Sequence, residues 1–195
     1  MSQENFTFAQ LLPYPENYLV KKLFRMPILL YRLGLGKLLG SYILILSTTG
    51  RKTKRTHHTP IEYFLHEGQY YILSGFGDQP DWYKNIMANP MVTLQNSYER
   101  ICAEARAPKT DEEWDAVYLY LTHSPVGRVL RADYFKDVQS PDILTEIKKL
   151  PVLTFIPTDK PCPPPLEADL VWAWPIILLG MAVDITIFWL VSRKK

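Results

Sequence analysis

The 195-residue sequence predicts a mainly β fold, either a compact β-barrel or an α+β domain. Short apolar, β-branched runs recur between turn residues, only two brief helical patterns separate them, and neither a βαβ alternation nor an internal repeat is present. A Rossmann glycine fingerprint is also missing. With 47% apolar residues the chain can bury a sizeable core, and a formal charge of +2 gives no electrostatic footprint for nucleic acid.

The elements follow in order. Between Pro15 and Leu39, apolar Leu19, Leu23, Met26, Leu30, Leu33 and Leu38 recur at roughly helical spacing, punctuated by Lys21, Lys22, Arg25, Arg32 and Lys37. Pro27 should kink or interrupt that helix. A basic, apolar helix of this kind suits two fates equally, lying on an anionic membrane surface or packing on its own domain. Ser41 to Thr48 (SYILILST) reads as a strand buried on both sides. Thr59–Leu65 and Gln69–Ser74 flank the turn His66-Glu67-Gly68 as a β-hairpin. Asp81–Asn89 reads as a short helix opened by Pro80 and closed by Asn89-Pro90. Met91–Asn96 and Arg100–Ala107 form another strand pair, Asp111–Thr122 a helix with an acidic start, and Val152–Ile156 the last strand.

Domain organisation follows from the ends. Residues 1–40 form an N-terminal helical segment and residues 41–157 the folded domain. Residues 158–169 are a linker stiffened by Pro157-Thr158-Asp159-Lys160-Pro161-Cys162-Pro163-Pro164-Pro165. Residues 170–191 are long and apolar enough to read as a transmembrane helix, with Trp172, Trp174 and Trp189 near its ends and Arg193-Lys194-Lys195 beyond. Asp184 is its flaw, and a helix that caps the domain or pairs with a partner is the other reading. A span would tether the protein to a membrane, with the folded domain expected on the cytoplasmic side. Met1-Ser2-Gln3-Glu4-Asn5 lacks the basic start and apolar run of a secretory signal. Cys102 and Cys162 lie far apart, so neither a metal quartet nor a disulfide framework is expected, and a reducing setting is the simplest reading.

The chemistry concentrates after the first strand. Thr48-Thr49-Gly50-Arg51-Lys52-Thr53-Lys54-Arg55 places hydroxyls, a glycine and four cations within eight residues. Forked guanidinium donors at Arg51 and Arg55, with point charges at Lys52 and Lys54, suit a phosphorylated or polyanionic ligand. Taken alone, such a loop is more often merely solvated. Downstream, Ser74-Gly75-Phe76-Gly77 would let a planar ligand approach the backbone, and a helix starting near Pro80 could aim amides at an anion. Trp82 and Tyr83 on its first turn could meet a ring system, although burial in the core is the commoner fate. Asn85 offers a polar contact on the same helix, and no pattern of metal ligands accompanies these residues.

Thr48-Thr49-Gly50-Arg51-Lys52, Thr59-Pro60 with Tyr63, Ser74-Gly75, Pro80-x-Trp82-Tyr83-x-Asn85 and Ala88-Asn89-Pro90-x-Val92 keep an order and spacing that resembles the deazaflavin-dependent nitroreductase family. The similarity runs from about Tyr42 to Ile156 and is weaker in its later part. It implies a split β-barrel resembling the FMN-binding split barrels, usually dimeric, that transfers a hydride from reduced coenzyme F420 to a quinone, nitroaromatic or similar electron-poor acceptor. Carried over by position, Thr49, Arg51, Lys52 and Thr53 would hold the cofactor's phosphate and acidic tail. Ser74, Gly75, Phe76, Trp82 and Asn85 would line its ring, and Tyr63 would face the acceptor. Apart from the resemblance, a tyrosine hydroxyl such as Tyr63, or bulk water, is expected to complete protonation of the reduced acceptor. Lys54 and His57 depart from the glycine and arginine that relatives carry, with Lys54 and Arg55 compensating for charge. Tyr118, Tyr120 and Tyr134 are unassigned. An FMN-dependent reductase on the same barrel, and a non-catalytic membrane-tethered lipid or cofactor carrier, are the alternatives.

Overall fold

The computed structural model describes residues 22–39, 42–123 and 143–192. Seven antiparallel strands form one sheet: β1 (Ile43–Thr49), β2 (Thr56–Glu62), β3 (Phe64–His66), β4 (Gln69–Leu73), β5 (Met91–Gln95), β6 (Arg100–Arg106) and β7 (Val152–Pro157), in the order β2-β1-β5-β6-β7-β4-β3. The two edge strands are consecutive in the chain, with Tyr63 alone between Glu62 and Phe64. Neighbouring Cα atoms are about 3.8 Å apart, so the sheet must curl until its edges nearly meet. No strand pairing joins β2 to β3 among the described residues, and the sheet is not closed by hydrogen bonds. The expectation of a mixed α and β fold is met, as a seven-stranded antiparallel sheet that is not closed into a barrel.

Alternation along the strands fills the inside of the curl. Leu44 and Leu46 of β1, Val92 and Leu94 of β5, Ala103 and Ala105 of β6, and Leu153 and Phe155 of β7 form one core. The helix α2 (Asp81–Ala88) turns Trp82 and Ile86 into the same core. The opposite face is covered in two places. Tyr71 and Val152 pack with Trp114, Val117 and Leu121 of α3 (Asp111–His123) and Ile147 of α4 (Ile143–Ile147). Ile45 packs instead with Tyr31 of α1 (Met26–Arg32) and with Leu166. β1 is thus buried on both faces, as its unbroken apolar run requires. Pro60 is tolerated because β2 is an edge strand. In the β3–β4 hairpin His66 pairs with Gln69, and Glu67 and Gly68 both take positive φ, the requirement of a two-residue turn of the mirror-image type.

α1 starts with Pro27 in its first turn, where the missing N–H costs nothing, and the part of the predicted helix before Lys22 lies outside the described residues. α3 begins in a capping box: the Thr110 hydroxyl accepts from Glu113 N at 3.3 Å, while the Glu113 carboxylate accepts from Thr110 N at 3.4 Å. The same carboxylate receives both Nη atoms of Arg106 at 2.6 and 2.9 Å, tying the helix to β6.

Residues 158–169 are not a free spacer. They run back over the outer face of the sheet as a strap: Thr93 donates to Pro163 O at 2.5 Å, and the Gln95 carboxamide takes both backbone groups of Leu166, at 2.9 and 3.0 Å. Asp169 closes a bidentate pair with Arg32. The return path brings Cys162 beside Cys102 on β6, and the two form a disulfide with a Cα–Cα separation of 5.7 Å. The expectation that the two cysteines form no disulfide framework is therefore corrected. Sixty residues separate the partners in sequence, and only the fold of the strap makes them neighbours.

The tail also departs from expectation. Val171–Ala173 is a short 3-10 turn, and α5 (Trp174–Ser192) has 19 residues, a rise of about 28 Å. It carries Pro175 in its first turn and Asp184 in its middle, and its start is fastened to the domain by Trp174 Nε1 donating to Leu33 O at 2.9 Å. Among the described residues no helix is long and apolar enough to cross a membrane, so the transmembrane assignment for residues 170–191 is withdrawn.

Two outcomes follow from these fastenings. Closing a loop of this length should stabilise the fold by roughly 4 kcal/mol, so reduction, or Cys162→Ser, is expected to lower the denaturant midpoint and to steepen the slope, because the freed unfolded chain exposes more surface. An unmoved midpoint would mean that the hydrogen bonds of the strap suffice. The Arg106 guanidinium holds the Glu113 carboxyl down at about 2, below its ordinary 4.5. Its contribution to stability is therefore complete above pH 4.5 and lost as pH falls through about 2. Acid unfolding of Glu113→Gln should show a shallower pH dependence over that window than the parent.

Candidate functional site

The loop between β1 and β2 is pinched at its neck. Gly50 N donates to Arg55 O and Lys54 N to Gly50 O, each at 2.8 Å. Gly50 is required there, because a Cβ would stand 2.6 Å from Thr53 Oγ1 and 2.7 Å from His57 Nε2. Thr53 and His57 form an internal brace, Oγ1 to Nε2 at 3.2 Å, and Arg55 N donates to the same hydroxyl at 3.3 Å. His57 thus organises the loop in place of the arginine expected from the family pattern. Lys54 takes a positive φ of 57° at the turn.

The four cations of the loop divide into two roles. Arg51 is committed: Nη2 donates to Asp81 Oδ1 at 2.8 Å, Nη1 to Asn85 Oδ1 at 3.1 Å and, at 3.4 Å, to Asp81 O. Its backbone N also donates to Asn85 Oδ1 at 3.1 Å. The Asn85 amide completes the clamp by donating to Thr48 Oγ1 at 3.4 Å. Lys52, Lys54 and Arg55 are exposed and have no carboxylate within ion-pair distance among the described residues. Three cations therefore crowd a short, stiffened loop beside a helix, α2, whose first turn has no side-chain cap. Such a donor set suits a ligand carrying several negative charges, and Thr49 ends β1 at the mouth of the same loop.

The remaining expected residues fall into separate places. Ser74 is buried and spends its hydroxyl on Gly77 O at 2.5 Å, closing the turn that holds Gly75 and the half-buried Phe76. Trp82 is core, packed edge-on against Tyr83 with ring centroids 5.6 Å apart. Asn85 is buried with its carboxamide engaged by Thr48 and Arg51. The residues that come together are thus Thr48, Arg51, Asp81 and Asn85, and Gly50, Thr53 and His57. Asp81 was not anticipated; a lone carboxylate at a helix start opposite a basic loop is the signal that could have found it.

Tyr63 stands apart, at the edge-joining corner where β1 begins, about 20 Å along that strand from Thr49. Its ring lies 5.4 Å from that of Tyr70. The Tyr70 hydroxyl donates to Glu99 and accepts from Asn96 Nδ2 at 2.7 Å, and burial raises the pKa of both tyrosines, so each keeps its proton at neutral pH. Of the tyrosines left unassigned, Tyr120 stacks on Phe64 with centroids 4.2 Å apart and bonds Glu62, Tyr118 packs against the outer core, and Tyr134 lies outside the described residues. Buried Ser47 meets His58 Nδ1 at 2.9 Å across the β1–β2 ladder, with the imidazole pushed toward its neutral form by burial and then by His57.

A family model described as F420H(2)-dependent quinone reductase matches residues 32–129, half of the chain. Among solved structures, an F420-H2 dependent reductase (FDR-A) is 22% identical over 58% of this chain and 92% of its own, with a TM-score of 0.43. A domain-swapped dimer is 20% identical, covering 73% of this chain and 99% of that one at a TM-score of 0.47. A heme binding protein from Mycobacterium smegmatis is 16% identical, covering 60% and 46% at a TM-score of 0.41.

Proposed function

Since the chain belongs to the F420H(2)-dependent quinone reductase family, whose cofactor is coenzyme F420, we propose that the β1–β2 loop grips the acidic tail of that cofactor and that the acceptor is a quinone. The observation that carries this reading is the set of exposed cations Lys52, Lys54 and Arg55 on a loop whose shape is fixed from within. A carboxylate-rich, phosphorylated tail fits that donor set, because fixed cations lose little conformational freedom when they pair with it.

When bound, the reduced deazaflavin supplies a hydride. The chain's own part is binding, orientation and proton delivery. Lys52, Lys54 and Arg55 hold the tail, while Arg51, bound to Asp81 and Asn85, sets the loop against α2. Thr53 and His57 keep the neck of the loop closed, and Thr49 offers a hydroxyl at its edge. Ser74, Gly75, Phe76, Trp82 and Asn85 belong to the same reading as the wall beside the ring. The family resemblance sets Tyr63 facing the acceptor, and its hydroxyl would protonate an acceptor that has taken up negative charge.

The test is a titration of the full chain with reduced and oxidised F420 and with FMN. Binding of F420 that weakens at least roughly tenfold in a Lys52→Ala, Arg55→Ala variant is the expected result. Equal affinity of parent and variant would sink the tail assignment, and preference for FMN would favour the ordinary flavin. Tyr63→Phe should leave F420 affinity unchanged and reduce quinone turnover by on the order of a hundredfold. Unchanged turnover would remove Tyr63 from the chemistry.

A further inference from the structure

α1 packs on the domain and yet leaves its outer face apolar. Ile28 and Tyr31 turn inward to Ile45 and Leu166, while Met26 and Leu29, and Leu23 and Phe24 just before the helix, face solvent, with Leu23 65% and Phe24 57% exposed. The start of the tail helix is fastened to this same corner. Leu170 N donates to Arg32 O at 3.0 Å, Trp174 Nε1 to Leu33 O, and Val171 Cγ2 lies 3.3 Å from where a Cβ on Gly34 would stand. Val171 and Trp172 are exposed there, Trp172 by 66%. An apolar surface gathered from two distant parts of the chain is more than the scatter of single apolar residues that any soluble surface carries.

Charge indicates what covers it. Lys22, Arg25 and Lys37 are exposed around the apolar residues and have no carboxylate partner among the described residues. Among the described residues, Asp169 at this corner is consumed by Arg32, and Glu167 two positions before it leaves three cations against one unpaired carboxylate. A second copy docking through a two-fold axis would set this patch against itself and bring the three cations toward their equivalents. A surface that offers apolar depth and negative charge together removes that conflict, and the headgroup layer of an anionic bilayer is such a surface. We propose that the outer face of α1 and the residues just before it, with Val171 and Trp172, dock in the plane of an anionic lipid surface, with Leu23, Phe24, Met26 and Leu29 entering it and Lys22, Arg25 and Lys37 meeting its phosphates. The helix lies along the surface and does not cross it.

This docking stands independently of the reductase reading and has its own readout. The full-length chain is floated with vesicles of phosphatidylcholine, and with vesicles of phosphatidylcholine mixed with phosphatidylglycerol. The expected result is binding to the anionic vesicles, weak binding to the neutral ones, and sensitivity to salt. Lys22→Glu with Arg25→Glu should weaken anionic binding by at least roughly tenfold, and Phe24→Ser with Leu29→Ser should weaken it further. Circular dichroism and F420 titration check that both variants keep their fold. No preference for anionic vesicles, or vesicle binding unchanged in both variants, would overturn the proposal. So would a dimer, seen by sedimentation without lipid, that the Phe24→Ser, Leu29→Ser variant dissociates, because the occupant would then be a second copy.

Discussion

One covalent link governs this fold: β2 and β3 lie at opposite edges of the sheet and are separated by a single residue, Tyr63. The chain cannot satisfy that link with a flat sheet. Curling puts Leu44, Leu46, Val92, Leu94, Leu153 and Phe155 on a concave side where they meet one another, and leaves one open end for Trp82 and Ile86 of α2 to fill. The β1–β2 loop then emerges beside that helix, which is why Arg51 can reach Asp81 and Asn85. Edge strands normally present unpaired backbone to solvent. Here the edges lie side by side around a corner whose aromatic ring packs on Tyr70.

The split between committed and available cations is the organising feature of the loop. Four positive charges in five residues repel one another, and Arg51 is drawn out of that group by Asp81. What remains is anchored at both ends, by the Asn85 clamp and by the Thr53–His57 brace. A loop built this way needs little reorganisation when an anion arrives, so more of the Coulombic attraction is kept as affinity.

Much of this was legible in the residues. The unbroken apolar run before Thr49 announced a strand buried on both faces, and Glu67-Gly68 between alternating runs announced the hairpin. Asp81–Ala88 and Asp111–His123 could be placed from Pro80, Asn89-Pro90 and the acidic start, because punctuation of that kind acts through local backbone geometry. The contacts that were not legible are nonlocal. Cys162 meets Cys102, and Leu166 meets Gln95, only because a proline-rich stretch follows the sheet, and proline density reports stiffness without direction. Asn85 could be marked as a polar position at the site; that its carboxamide is filled by Thr48 and Arg51 depends on the angle between α2 and β1, which no spacing encodes.

The strap also decides how the domain would bear a mechanical load. Tension applied through α5 enters at Trp174 and Asp169 and passes along residues held by Gln95 and Thr93. It then meets the disulfide, which delivers the force to Cys102 on β6, an interior strand hydrogen-bonded on both sides. β7, the strand from which the strap departs, lies beyond that junction and is shielded from being peeled out of the sheet. α3 and α4 fall within the ring that the two cysteines close, so they stay unstressed even if the tail is pulled to full extension.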